Sequence, residues 1–226
     1  MTFTSARIGG KQQQVSQPKM ACVLDRGAHS ELADEGSSDR DRSCVDYSCA
    51  RALAPQDGPT VLVAHSWGGT VLSEVGIDPK VTALVYVAAR APDAGEDFVA
   101  LSGTFPAGPV RTGIQRRDGF TTISEEAFLR SFANGVDHTK AEVLYAVQEP
   151  TAASLFGERT TAAAWHSKPS WYAVSKLDQT INPDLERFLA KRMNATTVEL
   201  NAGHLSLVSH PKEIADLIFA AAGRRE

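Results

Sequence analysis

The chain has 226 residues, of which 42% are hydrophobic, so it is long enough for one ordinary domain with a sizeable core. Its formal net charge of −4 excludes the basic footprint expected of a protein that binds nucleic acid or anionic lipid. No apolar run approaches the roughly 18 residues of a membrane span, and the N-terminus lacks the apolar stretch of a secretion signal.

The three cysteines indicate in which cellular compartment the protein resides. They are an odd number, and no C-x-x-C pair occurs, which favours a reducing environment over a disulfide framework and argues against a zinc site. We therefore expect a cytoplasmic protein that binds neither nucleic acid nor membranes and that holds no metal. The oligomeric state is left open.

The first fifty-eight residues differ in character from the rest. Residues 31–44 (ELADEGSSDRDRSC) are charged or small, a composition typical of a solvated loop. The apolar cluster at residues 20–24 (MACVL) predicts one short strand. One helix, around residues 47–53, fits between this strand and the regular pattern that follows.

From residue 58 onwards, apolar strands alternate with amphipathic helices. The strands are predicted at residues 60–63, 81–88, 171–175 and 196–200, and the helices at residues 70–75, 184–193 and 211–222. Continuous apolar runs such as VTALVYVA are typical of strands buried on both faces of a parallel sheet. The alternation predicts an α/β fold with a doubly wound, mostly parallel sheet.

Residues 92–168 interrupt this alternation with several prolines and with helical segments at 124–133 and 140–148. We interpret them as a helical cap insertion, within a single domain spanning 1–226, that lies over the edge of the sheet where ligands of such folds bind. The aromatic residues of this insertion are candidates for an apolar acyl or aryl pocket, namely Phe98, Phe128, Phe132 and Trp165, with Phe105 and Phe120 beside them. They could equally form a small core of the cap.

Residues 61–69 (VLVAHSWGG) contain the pattern small-x-Ser-x-Gly, with Ala64 in the first position and Ser66 at the centre. An apolar strand precedes it and a helix follows it. Such a turn exposes the serine at its tip and directs the backbone N–H of Trp67 toward a developing negative charge. The pattern predicts that Ser66 is a nucleophile; the alternative is a buried serine in an ordinary strand-to-helix turn.

These stretches resemble the α/β-hydrolase superfamily, specifically its small bacterial esterase-like members, which are similar to plant methyl-ester esterases and hydroxynitrile lyases. The resemblance covers roughly residues 50–223 and includes DGPTVLVAHSWGGTVLSE, KVTALVYVAARAPDAGE, TAAAWHSKPSWY, INPDLERF and ATTVELNAGH. It implies a catalytic triad whose acid follows the penultimate strand and whose histidine follows the last. Those positions are filled by Asp178 and His204. The resemblance implies no metal or organic cofactor.

Other titratable residues are weaker candidates. His65, His138, His166 and His210 are expected to be structural. Asp184 is a rival acid, but its place at a helix start is explained by capping. Glu199 lies inside the last strand and is poorly placed.

The N-terminal region departs from the family pattern. Relatives carry a His-Gly turn after an early strand, whereas here Arg26 precedes Gly27, which leaves Ala28 as the candidate second oxyanion donor beside Trp67. About thirty residues separate Ala28 from Pro59, where relatives have a helix, a strand and a helix. The resemblance therefore implies a shortened N-terminal part, and activity is expected to suffer if the oxyanion donor is misplaced.

The leading hypothesis is a serine hydrolase that cleaves a small carboxylic ester through an acyl-enzyme intermediate. Two alternatives stay open at this stage: a hydroxynitrile lyase-like enzyme on the same fold, and a degenerate, non-catalytic binding protein.

Overall fold

The computed structural model describes residues 53–223 in full and residues 19–23 as the backbone of one strand. The strands are β1 (Lys19–Val23), β2 (Thr60–His65), β3 (Val81–Val87), β4 (Ile114–Arg117), β5 (Phe120–Ile123), β6 (Thr151–Ala152), β7 (Ser170–Ser175) and β8 (Thr196–Leu200). The helices are α1 (Gly68–Val75), α2 (Phe98–Gly103), α3 (Glu125–Ala127), α4 (His138–Ala146), α5 (Pro183–Arg192), α6 (Ser206–Ser209) and α7 (Pro211–Ala221).

The main sheet has the strand order β1-β2-β3-β7-β8, and every neighbouring pair is parallel. The predicted α/β class is therefore confirmed. The register pairs Val63 with Val85, and Val85 with Trp171. Strand β3 is buried along almost its whole length, as its continuous apolar run predicted.

Helices cover both faces of this sheet. On one face, Leu62, Leu84 and Tyr172 form a core with residues of α1 and α5. On the other face, Val63 and Val85 pack against α7 through buried residues that include Ile214 and Leu217. Each fully buried aliphatic side chain of this kind contributes about 1.5–3 kcal/mol relative to its exposed state. The two cores fix the strand ends that carry the site.

Helix α5 begins with Pro183 at its first position, and the side-chain oxygen of Asn182 accepts the Asp184 N–H at 2.8 Å. The expectation that Asp184 caps this helix was therefore wrong, since Asn182 is the N-cap. Asp184 lies two positions after the N-cap and pairs with Arg187 on the surface at 2.8 Å. It lies in the first turn, where a negative charge complements the helix dipole.

The segment between β3 and β7 contains more than the predicted helices. Strands β4, β5 and β6 form a separate antiparallel sheet. Its first hairpin turns at Asp118 and Gly119, both with positive φ (50° and 81°). Asp-Gly is the sequence that two-residue hairpin turns favour because both positions need left-handed backbone. We refer to residues 92–168 as the cap.

The cap lies against the loops that follow β7 and β8. The side-chain N–H of Asn134 donates to the Leu177 carbonyl at 2.8 Å, and the Val110 N–H donates to the Gln179 carbonyl at 3.2 Å. The cap has its own apolar cluster, in which Phe128 packs with Leu205, the residue after His204. The cap therefore contacts both loops at the carboxyl edge of the sheet.

The structure describes only part of the N-terminal region. Strand β1 agrees with the predicted strand to within one residue. The turn at Ala28 and almost all of the predicted helix at 47–53 lie outside the described residues. Within the part of the chain that is described, no helix is both long enough and apolar enough to cross a membrane.

Candidate active site

Ser66 occupies the turn between β2 and α1 and has a left-handed backbone, with φ of 56°. This conformation is uncommon for a residue with a Cβ and persists only where the surroundings enforce it. The Ser66 N–H donates to the Val87 carbonyl at 3.2 Å, and the Ser66 carbonyl accepts the Arg90 N–H at 2.9 Å. The end of β3 and the residues that follow it therefore hold the backbone on both sides of the strained serine.

The small residues around Ser66 are needed because β2, α1 and the segment after β3 pass close together. A Cβ added at Gly69 would lie 1.9 Å from the Arg90 carbonyl oxygen and 3.1 Å from the Ala89 Cβ. Ala64 is buried in the main core with 1% of its surface exposed. Alanine therefore fits at the position where the motif more often has glycine, whereas Gly69 has no room for a side chain.

Ser66, His204 and Asp178 form a continuous chain of hydrogen bonds. The Ser66 Oγ lies 2.8 Å from the His204 Nε2, and the His204 Nδ1 lies 2.6 Å from the Asp178 Oδ2. Because a carboxylate only accepts hydrogen bonds, the Nδ1 carries the imidazole proton, and this N–H donates a hydrogen bond to Asp178. The Nε2 is then free to accept the Ser66 hydroxyl proton. The side chains of His204 and Asp178 are fully buried.

Backbone groups fix the second oxygen of Asp178. Its Oδ1 accepts the N–H groups of Thr180 at 2.6 Å and Ile181 at 2.9 Å. Burial alone would raise the pKa of Asp178, but His204 and the backbone donors outweigh it and hold this pKa below the ordinary value. Asp178 is therefore a charged acceptor at neutral pH, with an orientation set from two directions.

His65 supports His204 from the other side. Its Nε2 donates to the His204 backbone carbonyl at 2.9 Å, and the two ring centroids are 4.6 Å apart. Burial, with the neighbouring His204 acting in the same direction, lowers the pKa of His65 to about 3. A neutral His65 therefore positions the His204 backbone.

The remaining histidines and the rival acid Glu199 lie in surface pairs. His138 pairs with Glu142 at 3.4 Å and His166 with Asp93 at 2.9 Å, while His210 contacts Ser209 at 2.9 Å. Glu199 accepts two hydrogen bonds from Arg187. These contacts agree with structural roles.

The four aromatic pocket candidates occupy different places. Phe132 meets the His204 ring edge-on, with centroids 4.9 Å apart, and it lies in a π-helical turn, Phe128–Phe132. Turns of this kind often occur at functional sites. Phe128 lies behind it, with ring centroids 5.1 Å apart. Phe132 is therefore the one of these four that the structure brings against the Ser66–His204–Asp178 group.

Phe98 and Trp165 belong to the main core instead. The Trp165 indole N–H donates to the Pro92 carbonyl at 2.9 Å, and the Arg90 guanidinium lies 5.0 Å from the centre of the Phe98 ring. Both side chains are more than nine-tenths buried. This packing favours a core role over a pocket role for both residues, because they anchor the cap to the sheet.

The two oxyanion candidates differ in what the structure describes. Trp67 follows Ser66 directly and is the N-cap of α1, and its indole N–H donates to the Leu155 carbonyl of the cap at 3.1 Å. This bond fixes the peptide next to the serine. Ala28 lies outside the described residues, so its role stays a prediction.

One buried acid near the site was missed by the sequence analysis. Glu186, in α5, is fully buried, and its Oε2 accepts the Ser175 N–H at 3.0 Å. An acidic residue near a helix start ordinarily suggests a solvated charge that complements the helix dipole, so the sequence carried no signal for it. Among the described residues, no group of three or more histidine, cysteine or acidic side chains is arranged to hold a metal ion.

Comparison with known proteins places this site in a family. The profile described as the alpha/beta hydrolase family matches residues 22–217. No curated protein matches the sequence. Polyneuridine aldehyde esterase is similar in structure, with a TM-score of 0.62, 17% identity and coverage of 77% of this chain and 76% of that one.

Two further solved structures are similar to a comparable extent. An extracellular alpha/beta-hydrolase from a Paenibacillus species has a TM-score of 0.61 and 22% identity, covering 78% of this chain and 76% of that chain. A methylesterase from Arabidopsis has a TM-score of 0.60 and 16% identity, covering 79% and 75%. The resemblance stated from the sequence is therefore confirmed, and the chain belongs to the alpha/beta hydrolase family.

Proposed function

We propose that this hydrolase is a serine esterase that cleaves a small carboxylic ester through an acyl-enzyme intermediate. The observation that carries the proposal is the hydrogen-bonded chain from Asp178 through His204 to a serine held in left-handed backbone. A serine hydroxyl is a poor nucleophile unless a base accepts its proton, and the His204 Nε2 is in place to do so.

Acylation follows from this geometry. The Ser66 Oγ attacks the ester carbonyl carbon as its proton passes to the His204 Nε2, and the carbonyl oxygen becomes an oxyanion. Collapse of this intermediate breaks the bond to the alcohol oxygen, which takes the proton from His204 and leaves as the alcohol. The charged Asp178 stabilises the imidazolium while it exists. The N–H of Trp67, with that of Ala28 as second donor, is proposed to bind the oxyanion.

Deacylation repeats the same proton transfers with water. His204 accepts a proton from a water molecule, whose oxygen attacks the acyl carbon. The bond to the Ser66 Oγ then breaks, the serine recovers its proton from His204, and the carboxylic acid departs. No metal or organic cofactor enters any step. The partner is a small ester, and the cytoplasmic location stays a prediction, since one structural neighbour is described as extracellular.

The names of the structural neighbours, an esterase and a methylesterase among them, agree with an ester substrate. No observation in the structure favours the lyase reaction. A degenerate binding protein would not need a strained serine in contact with a charge-supported histidine.

The test is hydrolysis of p-nitrophenyl acetate and butyrate by the wild type and by Ser66→Ala. We expect the substitution to lower kcat by about 10⁴–10⁶-fold while the melting temperature stays within a few degrees, because the side chain acts only in catalysis. Equal activity in the variant would remove Ser66 as the nucleophile. Cyanide release from a cyanohydrin without ester cleavage would replace the esterase by the lyase.

A further inference from the structure

Glu186 is a fully buried carboxyl group that the proposed mechanism does not use. It lies in the first part of α5, where its neighbours Leu185 and Leu189 belong to the main core. Buried carboxyl groups are rare unless they are paired or hydrogen-bonded, because removal of a charge from water is costly.

The two oxygens of Glu186 are not equally satisfied. Oε2 accepts the Ser175 N–H at 3.0 Å, whereas no N–H or O–H group in the part of the chain that the structure describes donates a hydrogen bond to Oε1. An ionised carboxylate with one donor and no counter-ion at its second oxygen would be strongly disfavoured in this position.

Glu186 is tied to the loop that carries Asp178. The Ser175 N–H binds Glu186, and the Ser175 carbonyl accepts the Asp178 N–H at 3.0 Å. One residue at the end of β7 thus joins the helix to the proposed triad acid. Each carboxyl group acts on the pKa of the other: Asp178 raises the pKa of Glu186, and Glu186 lowers the pKa of Asp178. Two carboxyl groups that interact in this way cannot both ionise readily, so one keeps its proton.

The charged surroundings decide which of the two is protonated. Burial, and next the negative charge of Asp178, raise the pKa of Glu186 well above its ordinary value. Arg187 opposes this effect, but it lies at the surface in ion pairs with Asp184 and Glu199. Asp178 has the opposite environment, because His204 and two backbone N–H groups stabilise its charge.

A third titratable group that faces Glu186 is Tyr172 of β7, whose hydroxyl is bound to the Ala89 backbone. Burial raises the pKa of Tyr172 well above its ordinary value, so it stays neutral.

We propose that Glu186 is a positioning residue: it keeps its proton at neutral pH and donates it toward the Asp178 carboxylate, which helps to hold Asp178 in line with the His204 Nδ1. The proposal rests on the proposed function, since it assigns Glu186 a role in the same site. Glu186 touches no substrate and acts only through Asp178.

Three variants test this role. Glu186→Gln keeps the shape and a donor but cannot ionise, and Glu186→Met keeps much of the volume but has no donor. Asp184→Asn is the matched control, because it removes an exposed carboxylate two residues earlier in the same helix. The melting temperature of each variant is measured first, and if Glu186→Met does not fold, the Glu186→Gln measurements decide.

The first readout does not depend on activity. Infrared spectroscopy of the wild type at pH 7 should show the carbonyl stretch of a protonated carboxylic acid, and Glu186→Gln should abolish this band while Asp184→Asn retains it. Absence of the band, or its survival in Glu186→Gln, would overturn the proposal. The band can be measured without turnover, so it tests the protonation of Glu186 alone. A failure of the proposed function would instead appear as a wild type that does not hydrolyse the ester.

The second readout is the pH profile of kcat on p-nitrophenyl butyrate. Glu186→Gln should stay within about threefold of the wild type with an unmoved acidic limb, and Glu186→Met should lose about 10–100-fold in kcat with little change in KM. Two results would contradict the positioning role. Equal activity of the Gln and Met variants would leave only a packing role, and a shift of the acidic limb to lower pH in Glu186→Gln would mean that an ionised Glu186 had been removed.

Discussion

The substitution Gly69→Ala would test how the fold holds the serine turn. Real Cβ atoms essentially never approach another heavy atom within 3.0 Å, yet a Cβ at position 69 would lie 1.9 Å from the Arg90 carbonyl oxygen. The Arg90 peptide must therefore move by about an ångström or more. That same residue donates its N–H to the Ser66 carbonyl at 2.9 Å, so the displacement reaches the serine directly.

Two magnitudes follow from this contact. Overpacking of a well-packed site costs about 1–3 kcal/mol of unfolding free energy, and in a chain of this size each kcal/mol lowers the melting temperature by about 2–4 °C. Misplacement of a reacting group by about an ångström lowers activity by about 10²-fold. We therefore expect the loss of kcat/KM to exceed what the loss of folded protein explains.

The assay is ester hydrolysis at a temperature where both proteins are folded, together with thermal unfolding. Gly103→Ala is the matched control: Gly103 ends α2 with ordinary backbone, and an added Cβ would meet nothing within 4 Å. It should leave activity unchanged and stabilise the chain by up to about 1 kcal/mol. Wild-type activity and melting temperature in Gly69→Ala would refute the close approach between α1 and the Arg90 peptide.

Two further predictions concern the histidines. Asp178→Asn should lower kcat by about 10⁴-fold, because an amide N–H facing Nδ1 favours the imidazole tautomer whose Nε2 is protonated and cannot accept the Ser66 proton; a loss below tenfold in the same ester assay would argue against this role. His65→Gln should make stability less sensitive to acid. The pKa of His65 is lowered to about 3 in the folded chain from 6.5, so between these values the unfolded chain binds a proton that the folded chain excludes, and wild-type stability falls as the pH falls. Removal of this group should reduce that slope by up to about 1.4 kcal/mol per pH unit in urea unfolding between pH 6 and about pH 4, whereas an unchanged slope would contradict a neutral buried His65.

Local patterns predicted the parts of the molecule that local chemistry controls. The apolar runs of β2, β3 and β7 predicted a parallel sheet because strands buried on both faces need no alternation. The places of the acid and the histidine came from the resemblance to the α/β-hydrolase superfamily, which implied Asp178 after β7 and His204 after β8 as partners of Ser66. The structure brings these three side chains together.

Features set by tertiary packing were not predicted. The aromatic residues of the cap look alike in the sequence, and only tertiary packing distinguishes Phe132, beside His204, from Phe98 and Trp165 in the core. Glu186 looks like an ordinary surface acid, because its burial depends on how α5 packs on β7. The hairpin at Asp118 and Gly119 does have a local sequence signal, the Asp-Gly pair, but it lies in a segment whose other patterns predict helices.

The central claim is that Ser66 is activated by His204, and covalent labelling tests it most directly. The wild type is incubated with a fluorophosphonate, and the modified residue is located by mass spectrometry of its peptides. We expect rapid modification at Ser66, none in Ser66→Ala, and strongly slowed modification in His204→Ala. Modification at another residue, or equal rates for the wild type and His204→Ala, would contradict it.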